Sequence, residues 1–133
     1  MNSILLDTHT IVWALVDRSR LSGPAKAAVE TAISTSASIF VATITVVEVC
    51  YLIEKDRLPT LVRTKLLAAL EDPRSNLTAA SLDLDVAQRL KHVERDAVPD
   101  MPDRIIAATA LHLGVPLVSR DRKIRASAVR TIW

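Results

Sequence analysis

Several residue types are nearly missing from this chain of 133 residues: it has one cysteine, two glycines, two Trp, one Tyr and one Phe. With Cys50 alone no internal disulfide can form, so a reducing, cytoplasmic setting is expected. Cys50 lies in an apolar stretch and is expected to pack as a small hydrophobic side chain. Two glycines cannot build a Gly-rich phosphate loop, which removes P-loop and dinucleotide-binding readings. Aromatic residues make up 3% of the chain while hydrophobic residues make up 50%, so the core must be aliphatic. That hydrophobic share excludes disorder. The length corresponds to one domain, residues 1–133, large enough to bury about two-thirds of its unfolded surface. The N-terminus lacks a basic region, and Asp7 interrupts its apolar run, so no signal peptide is expected. Residues 37–53 imitate a membrane span but carry Glu48, a charge that costs roughly 2.5 to 3.5 kcal/mol inside a bilayer. They divide more naturally into a β-branched strand and a helix, and no membrane association is expected. His9, His92 and His112 are scattered without metal-ligand spacing and are expected to be isolated surface residues.

What is present alternates regularly. Residues 3–7 (SILLD) read as a buried strand ending in a carboxylate. A helix follows over 8–16, and Ser22, Gly23 and Pro24 open a second that runs to about Ile33. Residues 38–43 read as the second strand, followed by a helix from about Thr45 to Lys55. Pro59 starts another helix, and residues 76–81 form a weak strand. Leu82, Val86, Leu90 and Val93 recur at helical spacing. Beyond a loop holding Pro99 and Pro102, residues 103–113 are helical and end at Gly114. Residues 116–119 and 129–133 complete the strands. Continuous apolar strands alternating with helices predict an α/β fold, with a parallel sheet of about five strands covered by helices on both faces.

The acids fall at telling places. Asp7 ends the first strand, Glu48 lies in the first turn of the helix after the second, Asp121 follows the strand at 116–119, and Asp103 opens the helix before it. In an open parallel sheet, ligands bind outside the carboxyl ends of the strands. Each acid also has a structural explanation. Asp7 and Asp121 could be helix N-caps, Thr45-Val46-Val47-Glu48 fits a capping box, and Asp103 could complement a helix dipole. Together they make a harder case for structure alone. Two carboxylates about 4 Å apart repel by roughly 4 kcal/mol at an effective dielectric of 20. A divalent cation relieves that repulsion, and an all-oxygen ligand set selects Mg²⁺, or Mn²⁺, over Zn²⁺. The net charge is only +2, from 17 basic and 15 acidic residues. From Arg120 onward, however, Arg120, Arg122, Lys123, Arg125 and Arg130 face only Asp121, a stretch that can meet phosphates or simply be solvated.

The segments ILLDTHTIVWAL, ITVVEVCYLIEKDRLP, MPDRIIAATALHLGVPLVSRD and the terminal TIW resemble the PIN domain, and more narrowly the VapC-type toxins of bacterial toxin–antitoxin pairs. The resemblance runs from Ile4 to Trp133. It implies that Asp7, Glu48, Asp103 and Asp121 form an acidic quartet, with Thr8 and Ser119 as polar neighbours of its metal. It implies homodimerisation and inhibition by a small antitoxin protein whose tail occupies the active-site groove. Many relatives read Asp-Pro-x-Asp-Arg before the last long helix. Here Asp100-Met101-Pro102-Asp103-Arg104 moves the proline and leaves the role of Asp100 open.

The expected function is metal-dependent endoribonuclease activity. Mg²⁺ at Asp7 and Asp103 would act on a phosphodiester and its attacking water, while Glu48 and Asp121 would bind a second ion or orient that water. No histidine pair is placed for acid–base catalysis through a 2′-hydroxyl, so the product should carry a 5′-phosphate. Arg104, Arg120, Arg122 and Lys123 are the candidate contacts to the RNA backbone. Two rivals stand beside this reading. An aspartyl phosphatase would need a second acid where LLDTHT has His9. An inactive PIN fold would bind RNA or protein without cutting, against the intact quartet.

Overall fold

The computed structural model describes residues 2–133; Met1, the first residue of the expected domain span, lies outside them. Five strands form one sheet: β1 (Ile4–Leu6), β2 (Ile39–Ala42), β3 (Leu77–Ala80), β4 (Leu117–Val118) and β5 (Thr131–Ile132). Their order is β3-β2-β1-β4-β5, with every neighbouring pair parallel. The helices are α1 (Thr8–Val16), α2 (Gly23–Ser34), α3 (Thr43–Glu54), α4 (Thr60–Glu71), α5 (Leu84–Arg89), α6 (Met101–Leu113) and α7 (Arg122–Arg125). Short 3₁₀ turns at Arg18–Arg20 and Leu90–His92, and α7 itself, are additions that the apolar pattern did not reveal.

Side-chain alternation in β1 builds two cores. Ile4 and Leu6 pack with Ile11 and Val12 of α1, Val29 of α2, Val49 of α3, and Val62 and Leu66 of α4. Leu5 points the other way, to Leu117, Val86 of α5, Ile106 of α6 and Ile124 of α7. Helices therefore cover both faces, as the unbroken apolar strands predicted. Each fully buried Leu or Ile here stabilises the fold by roughly 1.5–3 kcal/mol. A one-residue slip of β1 would swap its two sets of side chains between the cores, which fixes the register.

Helix boundaries follow from capping. Ser22 Oγ accepts from the Ala25 N–H, with Pro24 in the first turn of α2, where no N–H is needed. Gly114 ends α6 in the left-handed region, at φ 67°, which glycine enters without a Cβ penalty. Two expectations change. First, α3 starts at Thr43 rather than Thr45, and its N-cap, Ala42, offers no side-chain bond. Thr43 Oγ1 instead accepts from the Leu82 N–H, tying the helix start to the chain just past β3. The Thr45–Glu48 capping box does not form, and Glu48 stands in the second turn instead of the first. Second, α6 starts at Met101 rather than Asp103, because Asp100 is its cap, accepting from the Asp103 N–H.

The segment that imitated a membrane span divides into β2 and α3. Among the described residues no helix is long and apolar enough to cross a membrane.

Candidate active site

The site lies where the sheet order reverses. From β1 the chain moves outward to β2 and β3, then returns to the other side of β1 as β4. The loops after β1 and β4 therefore leave in different directions and open a crevice at the carboxyl ends of these two strands. Asp7 follows β1; Ser119 and Asp121 follow β4.

Asp7 is buried and its carboxylate is held at both oxygens. Oδ1 accepts from the Thr10 N–H at 3.0 Å, capping α1. Oδ2 accepts from Ser119 Oγ at 2.6 Å, across the crevice. Ser119 Oγ in turn accepts from the Asp121 N–H at 3.1 Å, so one hydroxyl links two acids from two loops. Asp121 caps α7, its Oδ1 accepting from the N–H groups of Lys123 and Ile124 at 2.8 and 3.0 Å. The capping explanation for Asp7 and Asp121 is thus correct, and compatible with a place in the cluster.

Glu48 accepts from Thr8 Oγ1 at 2.6 Å. Thr8 has a single hydroxyl proton, so in the 3.1 Å contact between Thr8 and Thr45 the donor is Thr45. Thr8 and Thr45 are both buried, and Thr45 acts as a second support for Glu48, a role hidden in the sequence by its resemblance to a cap. Burial pushes the Glu48 carboxyl above its ordinary range; the Thr8 hydroxyl pulls it down, Asp100 raises it, His9 lowers it and Asp7 raises it.

Asp103 stands in the first turn of α6. Burial, then the charges of Asp100, Asp121, Glu48 and Asp7, push its carboxyl up to about 7. The acids of three other segments therefore act on Asp103 at once. Asp100, left open by the sequence, both caps the helix and is the largest charge acting on Asp103. Among the described residues the ion pairs join Arg20 to Asp17 and Arg74 to Asp72, so no rim acid is paired with a base.

A cavity of about 430 Å³ is lined by Asp7, Asp103 and Asp121 together with His9, Trp13, Arg120 and Arg122. A second cavity of about 390 Å³ places Lys123 beside Asp100, Asp103, Asp121 and Arg122. Arg120, Arg122 and Lys123 thus border the acids. Arg104 does not reach out with them. Its Nε donates to the Val93 carbonyl at 2.8 Å and its Nη2 to that of Leu90 at 3.0 Å, so it fastens the 3₁₀ turn to α6. His9 and Trp13, unremarkable in sequence, reach the cavity because they sit two and six residues beyond the cap Asp7, four apart on one face of α1.

The donor set is all carboxylate oxygen, which suits a hard cation. Among the described residues no three carboxylate, imidazole or thiol groups stand close enough together to hold an ion unaided.

A sequence model of the PIN domain matches residues 4–129. Over 126 residues the chain is 29% identical to Ribonuclease VapC22 of Mycobacterium tuberculosis, covering 95% of this chain and 92% of that protein. Among solved structures it is similar to VapBC2 from Rickettsia felis bound to a DNA fragment from its promoter, with a TM-score of 0.72 at 16% identity over 97% of this chain and 96% of that one. It is also similar to a toxin–antitoxin complex from Klebsiella pneumoniae, with a TM-score of 0.65 at 22% identity over 98% and 96% of the two chains. A third is FitAcB from Neisseria gonorrhoeae, with a TM-score of 0.61 at 20% identity over 96% and 95%. At these identities the structural likenesses establish the fold.

Proposed function

Since the chain belongs to the PIN-domain family, we propose that it is a metal-dependent endoribonuclease, the toxin of a toxin–antitoxin pair acting in the cytoplasm, with residues 1–133 as its one catalytic domain. The observation that carries this reading is that Asp7, Asp103 and Asp121 line one cavity without an ion-pair partner among the described residues, while Glu48, outside that lining, is near enough for its charge to act on Asp103. The 29% identity to a protein named as a ribonuclease points the same way.

Asp7 and Asp103 would hold Mg²⁺ or Mn²⁺, with Glu48 and Asp121 beside them. When bound, the ion supplies Lewis-acid polarisation of a phosphoryl oxygen and of the attacking water. The chain's own groups do the positioning. Ser119 and the Thr10 N–H keep both Asp7 oxygens fixed, and Thr8, backed by Thr45, fixes Glu48. Glu48 and Asp121 orient the attacking water for in-line displacement of the 3′-oxygen, leaving a 5′-phosphate. Arg120, Arg122 and Lys123 hold the RNA backbone. Arg104 is proposed to hold the 90–93 turn in place, with two of its five N–H donors on the Val93 and Leu90 carbonyls, and its part in RNA binding is secondary to that.

The proposed partners are RNA, a small antitoxin and a second copy of the chain. Solved neighbours are described as toxin–antitoxin or VapBC complexes, and Val47 and Tyr51, one turn apart on α3, are 49% and 61% exposed, a surface suited to burial by a protein partner. The deciding experiment is RNA cleavage with and without EDTA, with end-group analysis of the products. Cleavage that persists in EDTA, or products with 2′,3′-cyclic ends, overturns the mechanism. No cleavage under any metal leaves an RNA- or protein-binding PIN fold.

A further inference from the structure

We propose that the ring of Trp13 is a nucleobase platform, stacking the base of a nucleotide whose phosphate lies at the acids. The inference rests on the RNA-cleavage reading above and adds the residue that grips the substrate's base. That reading uses the carboxylates and arginines of the crevice and leaves its rings without a task.

The chain has four Phe, Trp and Tyr residues (two Trp, one Tyr and one Phe), and the two tryptophans meet here. Trp13 lines the cavity alongside Asp7, Asp103 and Asp121. Its ring centroid lies 5.9 Å from that of His9 and 5.9 Å from that of Trp133, tilted by 47° and 54°. The Arg20 guanidinium carbon lies over the Trp13 ring, 5.8 Å from its centroid, so a stacking base takes the place of that exposed side chain. The meetings with His9 and Trp133 follow from the fold. His9 and Trp13 share one face of α1, whose first turn Asp7 caps, and at 1.5 Å per residue Trp13 lies about 9 Å along the axis from that acid. Trp133 is brought in by the sheet, since the Ser119 N–H donates to the Ile132 carbonyl at 3.1 Å. β4 thus serves both contacts: its pairing with β1 sets Ser119 on Asp7, and its pairing with β5 sets Trp133 against Trp13.

The chemistry fits a base better than any other part of a nucleotide. One side of Trp13 packs on the aliphatic core, which holds the ring rigid, while it also lines the polar crevice. Tryptophan, histidine and arginine planes are the surfaces on which unstacked RNA bases lie. Such stacking tolerates any base, because each has a π-face. It therefore adds grip beside the acids without dictating sequence.

The test compares a short single-stranded oligoribonucleotide with an abasic strand of the same length and charge. Both are titrated into the full chain in EDTA at low salt, following tryptophan emission and the anisotropy of a labelled strand. The base-bearing strand should quench emission and bind roughly tenfold more tightly, the scale of one base–aromatic stack. Trp13→Leu, which keeps an apolar side chain against the core, should bring both strands to the abasic affinity, and Trp13→Phe should recover most of the difference. Equal affinity of the parent protein for the two strands overturns the platform and leaves RNA cleavage standing. That comparison needs no variant, so it does not depend on how Trp13→Leu folds. Binding of neither strand also overturns the platform, and RNA cleavage with added Mg²⁺ then decides the reading it rests on.

Discussion

The two ends of the sheet carry cavities of similar size and opposite character. At the carboxyl ends, about 430 Å³ is bounded by Asp7, Asp103, Asp121, Arg120 and Arg122. At the amino ends, about 330 Å³ is bounded by Ser3, Ile4, Ala27, Ala28, Thr31 and Pro116, with Arg130 as its charged residue. The difference comes from the helices that succeed the strands. β1, β2 and β4 each run into a helix start, and α6 is capped by Asp100 close to Asp103. Helix N-termini carry partial positive charge and unsatisfied N–H groups. They accept carboxylates as caps and let several acids gather where bare acids would repel. Among the described residues no acid lines the cavity at the amino ends. A crevice in an α/β sheet is thus made chemically capable by where helices begin, more than by its volume.

Removing charge from the carboxyl end should have the largest effect. Asp7→Asn keeps the cap to Thr10 and the shape of the site, so the protein should fold while RNA cleavage falls by roughly a thousandfold, and Glu48→Gln should lose roughly a hundredfold with near-normal melting. The check is a melting curve beside a cleavage rate in saturating Mg²⁺. A folded Asp7→Asn protein that cuts at the parent rate would remove the site, and a fully active Glu48→Gln protein would confine it to the other acids.

Occupying the carboxyl end should stabilise it. An ion bound only by the native state adds about 2.7 kcal/mol at a hundredfold excess over its Kd, on the order of 10 °C in Tm for a chain of this size. Thermal melting with Mg²⁺ or Mn²⁺ should show the shift in the parent and a smaller one in Asp7→Asn and Asp103→Asn. The same shift in all three proteins would place the ion elsewhere.

Without metal, the repulsion at this end should appear as a pH dependence. Asp103 is raised from 3.8 to about 7 in the folded protein, so the native state holds its proton longer than the unfolded chain does. Its contribution to stability is complete below pH 3.8, declines as pH rises and is lost once pH passes about 7; Glu48, also raised, acts in the same direction. Melting in EDTA should therefore fall over this window, and Asp103→Asn should flatten the fall. An unchanged pH slope in Asp103→Asn would assign the dependence to other groups.

The smallest effect is expected at the amino end. Arg130→Ala removes the charge of that cavity but leaves the backbone carbonyl that receives the Leu117 N–H. Stability should stay within about 0.5 kcal/mol and cleavage should be unchanged. A large loss of cleavage with Arg130→Ala would extend the RNA path across the molecule.

Much of the candidate site was legible because it is written in local chemistry. Asp7 ends an apolar strand and precedes a helix, and Asp121 does the same after β4, so their positions depend on neighbours alone. Glu48 was legible as an acid near the rim, but its local role was disguised. Its spacing from Thr45 imitates a capping box, whereas α3 begins two residues earlier and Glu48 meets Thr8, forty positions back in the chain. Arg104 looked like a cation available to RNA. Only the packing of the 90–93 turn on α6 reveals the two carbonyls that take its protons.

The sequence by itself determined the five strands and the longer helices, the parallel sheet buried on both faces, and which acids close its strands. It could do so because strand alternation, capping and glycine at a left-handed helix end are properties of a few consecutive residues. Tertiary structure decided the rest. It set β4 beside β1, so that Ser119 bridges Asp7 and Asp121. It brought Asp100 and Asp103 to a rim formed by other strands, and it laid Trp133 against Trp13. Each of these depends on contacts between residues far apart in the chain, which are fixed by the order of strands in the sheet and by the two cores that hold it.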